Sequence, residues 1–119
     1  MKLITTIKSD GTIDQILEKK DSLEILQKRV GGYIEIIPLF NKYNGKNCIA
    51  YCNEYGIYAK LQFNKLATDK WKECLGNQKL GYEPQLVGDV VIVQSAVEKT
   101  ITPEINIDTT QKTAAPIKF

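Results

Sequence analysis

The chain has 119 residues, of which 43% are hydrophobic and 25% charged, with no histidine and a formal net charge of +2. A chain of this size and make-up can bury one core without disulfide or metal staples, which excludes wholesale disorder. The charge is too small and too evenly spread to point to a nucleic-acid or membrane-surface partner, because residues 95–119 carry three basic and three acidic side chains.

Along the chain, Leu3, Thr5 and Ile7 alternate with Lys2, Ile4, Thr6 and Lys8 before Ser9-Asp10-Gly11, which predicts a strand entering a turn. The apolar part of this N-terminus is too brief for a secretory signal, and no apolar stretch approaches a membrane span. The expected location is the cytoplasm or nucleus. Residues 12–17 form a second short strand of ambiguous period. Asp21 and Glu24 fit a variant capping box that opens a helix with Leu23, Ile25, Leu26 and Val30 on its apolar stripe. Lys28 and Arg29 suit the negative end of its dipole, and Gly31-Gly32 ends it, with Gly31 as a left-handed C-cap.

Residues 33–40 have few polar interruptions and predict a central strand, with Pro38 at its end or on an open edge. Asn44-Gly45 is a strong hairpin dipeptide, and residues 48–52 return as the partner strand. A turn at residues 53–56 then leads into a third strand at 57–63, completing an antiparallel meander. Asn64 or Thr68 caps a helix running to Leu75, with Leu66, Ala67, Trp71, Cys74 and Leu75 on one side and Gly76 as its stop. Gly81 and Pro84 mark a loop, and Val87-Gly88-Asp89 turns into a last strand at 90–94. Beyond Val97 the residues are rich in Thr, Pro and Lys, the composition of an extended or disordered tail. The expected fold class is α+β: a mainly antiparallel sheet of about five strands, two short helices on one face, and an extended C-terminal tail. The domain occupies residues 1–97 and the tail 98–119.

The three cysteines are expected to be buried, reduced and inert. In a strand, Cys48 and Cys52 would lie about 13 Å apart, beyond the ~7 Å that a disulfide spans between α-carbons. With no histidine, a zinc site would need Cys74 and a carboxylate as well. No cofactor or metal is expected. Ser9, Ser22 and Ser95 have no imidazole to activate them, so nothing specifies an enzyme.

Four blocks in order, Val30-Gly31-Gly32-Tyr33-Ile34-Glu35, Asn53-Glu54-Tyr55-Gly56, Asn64 with Ala67-Thr68, and Val87-Gly88-Asp89-Val90-Val91-Ile92-Val93, resemble the domain of unknown function family 3846. That family is found in small proteins of phages, bacteria and large DNA viruses of algae, and the resemblance covers roughly residues 1–94. It implies a compact α+β domain of viral or mobile-element origin. It implies no activity, and it leaves the tail outside the match.

Three surfaces are candidate sites. Gly31-Gly32 could cradle a phosphate, but it follows a helix and so presents carbonyls, which repel anions; the C-cap reading is preferred. Glu35 sits within an apolar strand. Facing inward it would have a raised pKa and could serve as an acid, a base or a ligand holder; facing outward with Tyr33 and Ile37 it is solvated, and the solvated or structurally paired role is preferred. Glu54 lies near enough in the meander to form a carboxylate pair with it. Lys60, Lys65, Lys70, Lys72 and Lys79, with Tyr55, Tyr58 and Trp71, could form a basic and aromatic surface for single-stranded nucleic acid, although Arg29 is the only arginine.

The leading expectation is a non-catalytic protein-interaction module, a viral accessory or minor virion component. Its tail would dock on a viral or host protein, or on a second copy, through Ile101, Ile105, Ile107, Ile117 and Phe119. The alternatives are a nucleic-acid-binding accessory protein using Lys60, Lys70 and Tyr58, and a small-ligand-binding or sequestering protein with Glu35 and Glu54 near the site. No membrane partner is expected.

Overall fold

In a computed structural model of the chain, residues 1–96 are described. The seven strands in chain order are β1 (Lys2–Ile7), β2 (Ile13–Glu18), β3 (Ile34–Ile36), β4 (Lys42–Tyr43), β5 (Lys46–Asn47), β6 (Ile49–Asn53) and β7 (Val90–Ser95). Helix α1 (Leu23–Val30) lies between β2 and β3, and α2 (Lys65–Leu75) between β6 and β7. Five strands form one antiparallel sheet in the order β2-β1-β7-β6-β3, and β4 and β5 form a separate hairpin. The fold is α+β, as expected. Among the described residues no helix is long and apolar enough to cross a membrane.

The central strand is β7, and its register explains the core. Val90 and Ile92 pack toward α2, in a cluster with Ile7, Ala50, Ala67, Trp71 and Leu75. Val91 and Val93 pack with Ile4, Leu26 and Val30 beneath α1. The two helices therefore cover opposite faces of the sheet, which corrects the expectation that both lie on one. The physical reason is the unbroken run Val90-Val91-Ile92-Val93, all buried: side chains alternate across a strand, so a continuous apolar run must be covered on both sides.

Each helix end has a local cause. Ser22, not Asp21, caps α1: its Oγ accepts from Ile25 N at 3.2 Å while its backbone is extended. The cap thus lies one residue beyond the position that the Asp21–Glu24 pattern predicts. Gly31 ends α1 in the left-handed conformation at φ 81°, its N–H donating to Gln27 O. Asn64 caps α2 and Gly76 follows its last residue.

Two strand expectations fail. Residues 33–40 contribute only the three-residue β3, and β3 is an edge strand, not a central one. Pro38 and Leu39, at φ 63°, turn the chain away so that Phe40 folds inward and is buried. Residues 57–63 form no strand. Their amides bond locally instead, Ala59 N to Tyr55 O, Lys60 N to Ile57 O and Leu61 N to Gly56 O, and only Phe63 makes an isolated bridge, to Val87. The meander is replaced by β6 pairing with β3 on one side and β7 on the other.

Candidate functional site

A groove of 470 Å³ opens on the α2 side of the sheet beside β3. Its floor is Trp71, Ile37 and Leu86, all buried, and its walls come from the end of β3, the coil at 53–58 and the segment 82–87. Hydrogen bonds fix these walls to α2. Trp71 Nε1 donates to Pro38 O at 2.8 Å, and Leu86 N donates to Thr68 Oγ1 at 2.9 Å. The 62–64 and 86–88 segments run together through Asn64 N to Leu86 O and Gly88 N to Gln62 O. Tyr55 N donates to Asn53 Oδ1, a side-chain turn that shapes the coil.

Above this apolar floor the rim is unusually exposed for its residue types: Tyr58 88%, Ile57 74% and Tyr82 60%. Ile36, 61% exposed, borders the groove from β3 but turns its side chain to the α1 face, as do its neighbour Ile34 and its partner Tyr51. Exposed large apolar groups gathered around a concavity are the ordinary mark of a binding surface. The only charged groups lining the groove are Glu35 and Glu54, with no lysine or arginine among its described lining. Both carboxylates are exposed. Glu35 lies opposite Cys52 across the β3–β6 pair and shares the α2 side of the sheet with Ile37, so it stands at the rim while Ile37 is buried under Trp71. Glu35 thus lies on the covered face, where Ile37 is buried rather than outward, at a place where the cover ends and the carboxylate is exposed.

The Cys52 thiol lines the groove, and burial, reinforced by the Glu35 charge, pushes its pKa up to about 11. Burial, with Cys74 nearby, raises Cys48 to about 11 as well. At neutral pH both are protonated and therefore poor nucleophiles. The three cysteines are free and half-buried, not fully buried as expected. Among the described residues no group of three or more Cys, Asp or Glu is placed to hold a metal ion.

The sequence-derived candidates separate. Glu35, Glu54 and Tyr58 converge on the groove. Lys60 is exposed in the coil but does not line the groove. Lys70 lies on α2, its Nζ 6.0 Å from the centre of the Tyr43 ring, beside a smaller depression around the β4–β5 hairpin. Of the proposed basic and aromatic surface, Trp71 is buried and committed to Pro38, while Lys65 and Lys72 pair with Asp69 at 2.7 Å and Glu83 at 3.4 Å. A buried indole presents no face to a base. Ile101, Ile105, Ile107, Ile117 and Phe119 lie outside the described residues.

Ile36, Ile57 and Tyr82 had not been singled out. Tyr82 carried a usable signal, an aromatic residue in a loop between Gly81 and Pro84, where no core position requires one. Ile36 and Ile57 carried none, since their exposure depends on β3 lying at the edge and on 57–63 coiling.

No curated protein and no solved structure matches the chain. A family model matches residues 1–114, reaching past residue 94, where the resemblance was expected to end, and into the segment read as a tail. With nearly its whole length under that model, the chain belongs to the family described as domain of unknown function DUF3846.

Proposed function

We propose that the domain is a non-catalytic interaction module that receives an apolar, positively charged segment of another protein in the groove beside β3, in a viral or mobile-element setting. The observation that carries this reading is the groove's composition: an apolar floor, an exposed Ile and Tyr rim, and two carboxylates with no cation among them. An apolar surface drives association without direction, and the two acidic charges, which form no ion pair among the described residues, select a basic occupant and speed its encounter. Interaction through residues 98–119 is a separate proposal that this reading does not use.

Trp71 is the only tryptophan and lines the groove, so its fluorescence reports occupancy directly. The experiment is titration with a short synthetic peptide of alternating valine and lysine, against its valine–glutamate counterpart. Preferential binding of the lysine peptide, weakened about tenfold in the Glu35→Gln/Glu54→Gln double variant, is expected from the loss of two charge contacts worth about 0.7 kcal/mol each. Equal binding of the two peptides, or binding of neither, overturns the reading.

A second reading is favoured by the groove's size. At 470 Å³ it falls within the range of about 300–1,000 Å³ typical of small-ligand sites. A small cationic aryl or alkyl amine would then raise the melting temperature where the lysine peptide does not.

A further inference from the structure

Resting on the groove reading, we infer that the occupant binds as an added β-strand on β3, using the outward-facing peptide groups of Ile34 and Ile36. The ladder to β6 sets the direction of every peptide group in β3. Glu54 N donates to Tyr33 O at 2.8 Å and Ile37 N donates to Ala50 O at 2.9 Å, bracketing the pairs Ile34 with Asn53, Glu35 with Cys52 and Ile36 with Tyr51. In an antiparallel pair alternate residues turn their N–H and C=O toward the partner, so residues 33, 35 and 37 face β6 and residues 34 and 36 face away. No strand pairs with that side of β3 among the described residues.

An unpaired edge is a template for another chain, and proteins blunt it with inward-pointing charges, prolines or cover. The opposite edge, β2, is treated in that way: Asp14 is paired with Arg29 of α1, and Glu18 follows along the same side of the strand. Along β3 the only charge is Glu35, and it points toward the groove. Ile36, beside it on the other face, is exposed.

A strand laid along this edge would alternate its side chains between the two faces of the sheet. Those on the α2 side would pass Glu35 and the groove, where a lysine or arginine is matched. Those on the α1 side would meet Ile34 and Ile36, where an apolar residue is matched. Main-chain bonds would supply sequence-tolerant affinity and the two faces the selectivity, which is how strand addition reads a peptide. The recognised class is therefore an extended protein segment alternating basic and apolar residues.

The test uses the full chain with the alternating valine–lysine peptide and two readouts. The first is amide hydrogen exchange at Ile34 and Ile36, followed residue by residue with and without peptide. The second is peptide affinity in the Ile36→Pro variant, which deletes an outward donor while leaving the bonds to β6 in place, with its folding checked by Trp71 fluorescence. Slowed exchange at both amides, with affinity about tenfold weaker in Ile36→Pro, is the expected result for one lost hydrogen bond and a disturbed register. Two outcomes refute strand addition while leaving the groove reading standing: unchanged exchange at both amides with the peptide bound, or unchanged affinity in folded Ile36→Pro, in each case with Tyr58→Ala still weakening binding. Absence of any peptide binding by the wild-type chain overturns both.

Discussion

Replacing Asn64 with alanine would remove one side chain that joins three parts of the fold. Asn64 is 1% exposed. Its Oδ1 accepts from Ala67 N at 3.0 Å, capping α2, and its Nδ2 donates to Ile7 O and to Gly88 O, both at 2.8 Å. The end of β1, the turn before β7 and the start of α2 are thus held by three bonds. Loss of an N-cap acceptor costs about 1 kcal/mol. Each lost bond to a carbonyl in this buried setting costs about 1 kcal/mol or more, because the acceptor loses a partner away from bulk solvent. The total is on the order of 3–4 kcal/mol, against a whole-domain stability of roughly 5–15 kcal/mol. For a domain of this size each kcal/mol shifts the melting temperature by about 4–8 °C, so a fall of about 12 °C or more is expected. Urea denaturation followed by Trp71 fluorescence measures the change directly. Asn64→Asp separates the roles, since it keeps the cap acceptor but sets a carboxylate against two carbonyl oxygens. Its folded pKa would be raised, so its stability relative to wild type should worsen as pH rises above the ordinary carboxylate range. A loss below about 1 kcal/mol in Asn64→Ala would contradict this account, because it would leave the two bonds to buried carbonyls with no contribution beyond that of the cap.

Ser22→Ala should lower stability by about 1 kcal/mol and Asp21→Ala by less than half of that, since Ser22 carries the α1 cap; the urea midpoints of the two variants decide the order. The Cys48 and Cys52 pKa values, each raised to about 11, favour the protonated form in the folded state. The folded chain then holds more protons than the unfolded one between about pH 9 and 11, so stability should be intact below that window and decline through it. Alkylation of Cys48 and Cys52 by iodoacetamide, read site by site by mass spectrometry, should likewise stay slow at neutral pH, and rapid modification of either one in folded protein at pH 7 would contradict the burial argument.

What was legible in the sequence is local. The Asn44-Gly45 turn, Gly31 at the end of α1, Asn64 at the start of α2, and the strands at both ends of the domain each depend on a few neighbouring residues whose backbone preferences agree. Glu35, Glu54 and Tyr58 were recognisable as candidates because charge or aromatic character stood out against their apolar surroundings. The tertiary structure alone decided that these three meet, that β3 lies at the edge, that residues 57–63 coil, and that the helices take opposite faces. Each of those outcomes depends on pairing between segments far apart in the chain, above all β1 and β6 on either side of β7. Strand propensity measures fit to a pleated, half-buried surface, so the same residues at 33–40 serve a central or an edge position until their neighbours are known. The groove exists only because α2 covers the centre of its face and leaves Glu35, at the margin, uncovered.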